Sequence, residues 1–160
     1  MPVASEALCT AISKMVVEQK PDGVIVCVSP KVHAMMATEI MRLGYPVYTE
    51  KPPAEWATEA LTVARVAKET CLLCTTAFKK RYNRSYTRAK EWIGKFSPED
   101  LFSLSIDYCS GPYENKTPRD TFLLDFAIHV IDLAQFLFGD VDSIFSFFQP
   151  PCETQRYPNS

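Results

Sequence analysis

The hydrophobic and polar positions divide the chain into alternating patterns. Leu8, Ile12 and Met15 recur at helical spacing behind Ser5, a residue type that caps helix N-termini, and predict a helix over 5–20. Pro21-Asp22-Gly23 reads as a turn. Val24-Ile25-Val26-Cys27-Val28 is an unbroken apolar run and predicts a strand buried on both faces, ended by Ser29-Pro30. A second helix is expected over 31–43, stopped by Gly44 as a left-handed cap. A short strand over 45–49 follows, broken by Glu50-Lys51-Pro52-Pro53, then a helix over 54–69 and a strand over 71–76. Beyond residue 78 the rhythm changes. A helix over 83–93 runs to Gly94, residues 101–108 alternate as a half-buried strand, a very apolar helix over 121–138 ends at Gly139, and 141–148 read as another strand. The tail from Pro150 has no apolar period.

Helix and strand alternating through residue 76 predict an α/β fold, a parallel sheet with helices on its faces. The looser succession after it predicts an α+β unit with an antiparallel sheet. In open parallel sheets ligands bind outside the carboxyl ends of the strands. Ser29, Lys51 and Phe78 are therefore expected on one rim.

Composition narrows the chemistry. The formal net charge of −2 signals no strongly electrostatic partner, and nucleic acid is not expected. The five glycines, at 23, 44, 94, 111 and 139, are too dispersed to build a Gly-rich phosphate turn. Six cysteines include one CxxC, Cys71-Leu72-Leu73-Cys74, and no second to complete a zinc site. Read as a strand, that segment points its two sulfurs to opposite faces, so the thiols are expected to be plain core groups of a reducing compartment. No apolar run reaches the ~18 residues of a membrane span, and the N-terminus lacks signal-peptide features, so a cytoplasmic location is expected.

Two segments concentrate candidate chemistry. Asp125, His129 and Asp132 lie at i, i+4 and i+7 in an otherwise apolar helix, within about 60° of one another at α-helical geometry. Buried charges persist when they pair, bind a ligand or do proton chemistry. The residues alone leave open a His129 bonded to a carboxylate in the core, a metal site, or catalysis. Glu50-Lys51-Pro52-Pro53 sets a cation at a strand end, where Pro52 allows a cis peptide; the other reading is a solvated turn. The basic run Lys79, Lys80, Arg81, Arg84, Arg88 and Lys90 beside Tyr82 and Tyr86 reads as a solvated helix face in this slightly acidic chain.

Taken in order, Pro21-Asp22-Gly23-Val24, Ser29-Pro30, His33, Gly44, Glu50-Lys51-Pro52, Arg81-Tyr82 and the spaced Asp125, His129, Asp132 and Gly139 resemble the Gfo/Idh/MocA oxidoreductases, from about Pro21 to Ile144. That family includes glucose–fructose oxidoreductase and inositol dehydrogenase. The resemblance implies a partial Rossmann sheet, its second half, in residues 1–78, and the start of an α+β substrate domain in 79–160. It implies NAD or NADP as cofactor, no metal, and a small sugar- or polyol-like substrate. Lys51 would stabilise charge on the reacting oxygen, His129 would transfer the proton, and Asp125 would orient His129 or the substrate. Ser29, Pro30 and His33 would line the cofactor, with Glu50 and Arg81 also on its binding list. Ala127 stands where the family commonly has glycine. The family's first strand and Gly-rich turn have no counterpart before Pro21, so the sequence is expected to be truncated at both ends. The full-length protein would be a homo-oligomer, and the chain alone would bind no NAD(P) usefully. The alternative is a non-catalytic remnant serving as a binding or regulatory module.

Overall fold

A computed structural model of the protein describes residues 2–101, 103–108 and 123–147. Helix α1 spans Pro2–Gln19 and turns Ile12 and Val16, four residues apart, toward the core. It starts earlier than the pattern predicts, so Ser5 lies inside it and is not its cap. Strand β1, Val24–Val26, leads to α2, Pro30–Arg42, which opens with Pro30 just inside the helix, where a missing N–H costs nothing. His33, Ala37, Ile40 and Met41 form its buried face at the amphipathic spacing. Gly44, at φ 95°, turns the chain into β2, Val47–Thr49. Helix α3, Ala57–Thr70, buries Val63 and Val66 and ends at Cys71 in the left-handed region, φ 53°. Strand β3 is Cys74–Thr76. Cys71 is thus an exposed helix cap rather than a strand residue, and Cys9, Cys27, Cys71 and Cys74 are free thiols.

The three strands form a parallel sheet in the order β1-β2-β3, with Val24 opposite Val47 and Val47 opposite Cys74. This is the α/β arrangement that the alternation predicts. The core is one-sided: Ile12, Val16, Val26, Ala37, Ile40, Met41, Val47, Val63 and Val66 cluster between the helices and one sheet face. On the other face Ile25 is 71% exposed and Tyr48 39%. The expectation that β1 is buried on both faces is therefore corrected, because the packed helices all gather on one face.

After β3, a 3₁₀ turn, Lys79–Tyr82, runs into α4, Arg84–Ile93, whose first turn is capped by Asn83 Oδ1 accepting from Ser85 N–H at 2.9 Å. A second 3₁₀ turn covers Pro98–Asp100. Leu123–Ala127 is a π-helical turn that continues directly into α5, Ile128–Phe138, ended by Gly139 at φ 93°. Lys90 Nζ donates to the Leu137 carbonyl at 3.0 Å, serving one of the orphan acceptors at the end of α5.

The strands expected over 101–108 and 141–148 do not form among the described residues, and with them the antiparallel sheet is not seen. Alternation supplies a face but not a partner, and a strand stands only where its N–H and C=O groups find a neighbouring ladder. Residues 102 and 148, the start of the helix expected over 121–138, and the Pro150 tail lie outside the described residues.

The one-sided core yields a direct expectation. Ile40→Ala, at a fully enclosed site, should lower unfolding free energy by about 2–5 kcal/mol. Ile25→Ala on the bare face should cost no more than about 0.5 kcal/mol. Urea denaturation of the two variants measures both; equal losses would contradict the packing.

Candidate active site

The ladder continues one residue past each of two strand ends, where Glu50 N–H donates to Val26 O at 3.0 Å and Ala77 N–H to Thr49 O at 2.8 Å. These bonds bring the three carboxyl ends level, as a rim. Glu50 folds its carboxylate onto the N–H of Lys51 at 3.0 Å, and the Lys51–Pro52 peptide is cis. Beneath the rim, His33 is fully buried. Its Nδ1 lies 2.7 Å from Pro52 O and its Nε2 3.4 Å from Val28 N. One tautomer satisfies both contacts: Nδ1–H donates to Pro52, and Nε2 accepts from Val28. His33 therefore ties the exit of β1 to the turn after β2. No part of it reaches the surface. Ser29, exposed, and Pro30, half-buried, stand on the rim at the start of α2.

The π turn and α5 face this rim. Lys51 Nζ donates to the backbone oxygen of Asp125 at 2.7 Å and lies 3.5 Å from its Oδ1. Asp132 is buried and takes Arg81 in a forked pair: Arg81 Nε is 3.0 Å from both carboxylate oxygens, and Nη2 is 2.6 Å from Oδ1. The Arg81 guanidinium also lies over the rings of Phe78 and Phe136. The Asp132 hydrogen bond raises the Arg81 pKa further, against the opposing effect of burial. Arg81 clamps the segment after β3 to α5 through its Nε and Nη2.

His129 sits between these two contacts, buried, and its Nδ1 has no hydrogen-bond partner. The expected single stripe of Asp125, His129 and Asp132 is split. The π turn breaks the α-helical phase before Ile128, so Asp125 goes to Lys51, Asp132 goes to Arg81, and Nδ1 of His129 goes to neither. Among the described residues no group of three His, Cys, Asp or Glu side chains could hold a metal ion.

A cleft of about 800 Å³ opens between rim and helix, lined by Lys51, Lys79, Lys80, Tyr82, Asn83, Tyr86, Tyr108, Asp125, Phe126 and His129. The basic run is thus not one solvated face. Its first two lysines enter the cleft, Arg81 is paired, Lys90 caps α5, and Arg84 and Arg88 are exposed. Sequence reasoning missed Lys79, Lys80, Tyr86 and Tyr108 as site residues. The available signal was the interleaving of lysine and tyrosine just after a strand end.

Burial pushes the His129 imidazole below its ordinary pKa. The nearby charges of Lys51, Lys79 and Lys80 push it the same way, and Asp132 opposes them. The fold thus prefers the neutral ring. Its contribution to stability is complete above the unfolded imidazole value of about 6.5 and is lost as pH falls through the folded value. With only two histidines in the chain, NMR titration resolves them. His129 should titrate below about 6.5, and Lys51→Gln should move it upward. A value above 6.5 in the unmodified protein would contradict the site electrostatics.

Comparison with known proteins adds a lineage to this geometry. A family model described as "Oxidoreductase family, NAD-binding Rossmann fold", GFO_IDH_MocA, matches residues 3–78. The chain is 24% identical over 139 residues to the myo-inositol 2-dehydrogenase of Thermotoga maritima, covering 83% of this chain and 41% of that protein. It is 26% identical over 121 residues to the scyllo-inositol 2-dehydrogenase (NAD(+)) of Bacillus subtilis, covering 74% of this chain and 35% of that one. The chain spans less than half the length of these curated relatives. The crystal structure of a putative myo-inositol dehydrogenase from Sinorhizobium meliloti 1021 shares the fold, with a TM-score of 0.65 at 21% identity, over 88% of this chain and 46% of that one. Residues 3–78, just under half of the chain, are thus similar to the NAD-binding Rossmann fold of the Gfo/Idh/MocA oxidoreductase family.

Proposed function

We propose that the chain is the reacting part of an NAD(P)-dependent oxidoreductase that moves a hydride between a nicotinamide and a hydroxylated carbon of a sugar, polyol or related compound. One observation carries this reading: a lysine fixed on the strand rim and a buried histidine with an unpartnered ring nitrogen line the same cleft. Relatives named as myo-inositol and scyllo-inositol 2-dehydrogenases support the polyol class. In the same reading, residues 1–78 are the second half of a dinucleotide-binding domain, and 79–160 open the substrate domain.

The residues present fit the reacting end of a nicotinamide cofactor. Ser29 and Glu50 are exposed on the rim where parallel sheets bind ligands, and the orphaned His129 Nδ1 awaits a polar partner. When bound, the nicotinamide supplies the acceptor for the hydride. The chain's own groups do the rest. His129, held neutral by burial and by its cationic neighbours, takes the hydroxyl proton as general base. Lys51 stabilises the negative charge that develops on the same oxygen. Asp125 positions Lys51 through its carbonyl and carboxylate. Arg81 and Asp132 hold α5, and with it His129, against the rim. Glu50 steadies the backbone of Lys51.

The test uses the native polypeptide that contains these residues, assayed for polyol oxidation by the appearance of reduced nicotinamide. Lys51→Ala should lower turnover by about 10²–10³-fold, the usual cost of removing a charge-stabilising donor, while cofactor affinity changes little. Unchanged turnover would remove Lys51 from the reaction.

A further inference from the structure

Among the described residues the charges of the cleft do not balance: three lysines, at 51, 79 and 80, face it, against a single carboxylate, Asp125. That carboxylate is already engaged by Lys51, 3.5 Å away. Next door, Arg81 is fully matched by Asp132. Lys79 and Lys80 make no ion pair among the described residues.

Lys80 is nonetheless held in place. Its ammonium lies 5.7 Å from the centroid of Tyr86 and 5.0 Å from that of Tyr108, and the residue is half-buried. Two aromatic faces restrain the charge without neutralising it, since a ring quadrupole supplies no counter-ion. A cation ordered and partly desolvated in this way, with no anion among the described residues in reach, is prepared for one.

Hydrogen-bond polarity points the same way. A neutral polyol offers hydroxyls that both donate and accept, so a site built for it presents acceptors as well as donors. Here three ammonium groups cannot accept, beside tyrosine hydroxyls and a His129 ring that can both donate and accept. The Asn83 side-chain oxygen is spent on the cap of α4, and the Asp125 carboxylate lies against Lys51. An acceptor-only group, a carboxylate or a phosphate, complements such a surface.

We propose that the molecule taken into this cleft carries an anionic group, a carboxylate or a phosphate on its hydroxylated carbon chain, and that Lys79 and Lys80 bind it. The inference rests on the reading of the cleft as the substrate site. It separates acidic or phosphorylated sugars from the neutral inositols named for the relatives. Lys79 and Lys80 hold the anion, and Lys51 and His129 take the hydroxylated carbon.

Isothermal titration of the native polypeptide with D-glucuronate, glucose 6-phosphate and myo-inositol tests this without requiring turnover. At low ionic strength at least one of the two anions should bind about tenfold or more tighter than myo-inositol. That advantage should shrink with added salt. The double variant Lys79→Gln/Lys80→Gln should abolish it, and Lys79→Arg/Lys80→Arg should keep most of it, which separates charge from misfolding. Equal affinity for myo-inositol, or an advantage that survives the glutamines, overturns the proposal. So does a double variant that loses NADH or NADPH while retaining the anion preference, since the lysines would then serve a cofactor phosphate. Anion binding that follows the lysines in a protein whose turnover ignores Lys51→Ala would leave this inference standing and remove the reaction proposed above.

Discussion

Asp132 is a carboxylate inside an otherwise apolar helix, and such a group persists only if something matches its charge. Arg81 does so with a forked pair, from a turn that leaves the last strand of the sheet. That contact sets the position of α5 relative to the rim. His129 is three residues before Asp132, so fixing one end of that turn fixes the imidazole at the other. Lys51 makes the second tie, to the carbonyl of Asp125 in the π turn that precedes α5. With both ties made, two segments far apart in sequence share one cleft. Removing the Asp132 side chain would leave a half-exposed guanidinium without its partner and free the helix that carries the proposed base.

The electrostatics follow from the same arrangement. Burial alone would lower the imidazole pKa, and Lys51, Lys79 and Lys80 add to it. A neutral ring beside protonated ammonium groups is a base next to a charge stabiliser, the pairing that oxidation of an alcohol requires. Cys74 shows the complementary effect: burial raises its thiol pKa and disfavours the reactive thiolate.

Much of this was legible in the sequence. The parallel order of β1, β2 and β3 followed from the short turns between apolar runs, and Lys51 and His129 stood out as charge in places where charge is costly. What periodicity could not reveal was phase and partnership. The π turn at Leu123–Ala127 inserts a change of pitch that leaves no mark in an apolar pattern, so the supposed stripe of Asp125, His129 and Asp132 came apart into separate contacts. His33 looked like a rim residue because it follows Ser29-Pro30, but one helical turn carried it under the rim, where two backbone groups claim it. Arg81 and the lysines before it formed one basic run in sequence. A 3₁₀ turn sends them in different directions, one to a carboxylate and two to a cleft. The alternation at 101–108 and 141–147 showed which side could be apolar, not what the segments would pair with.

The central claim is that Lys51 and His129 act on one oxygen atom. A double-mutant cycle on polyol oxidation in the native polypeptide tests it most directly, with Lys51→Ala, His129→Asn and the pair compared by turnover. Groups that act as a unit lose most of their effect together, so the double variant should be little slower than the worse of the two single variants. Losses that multiply, as they do for independent sites, would contradict the account.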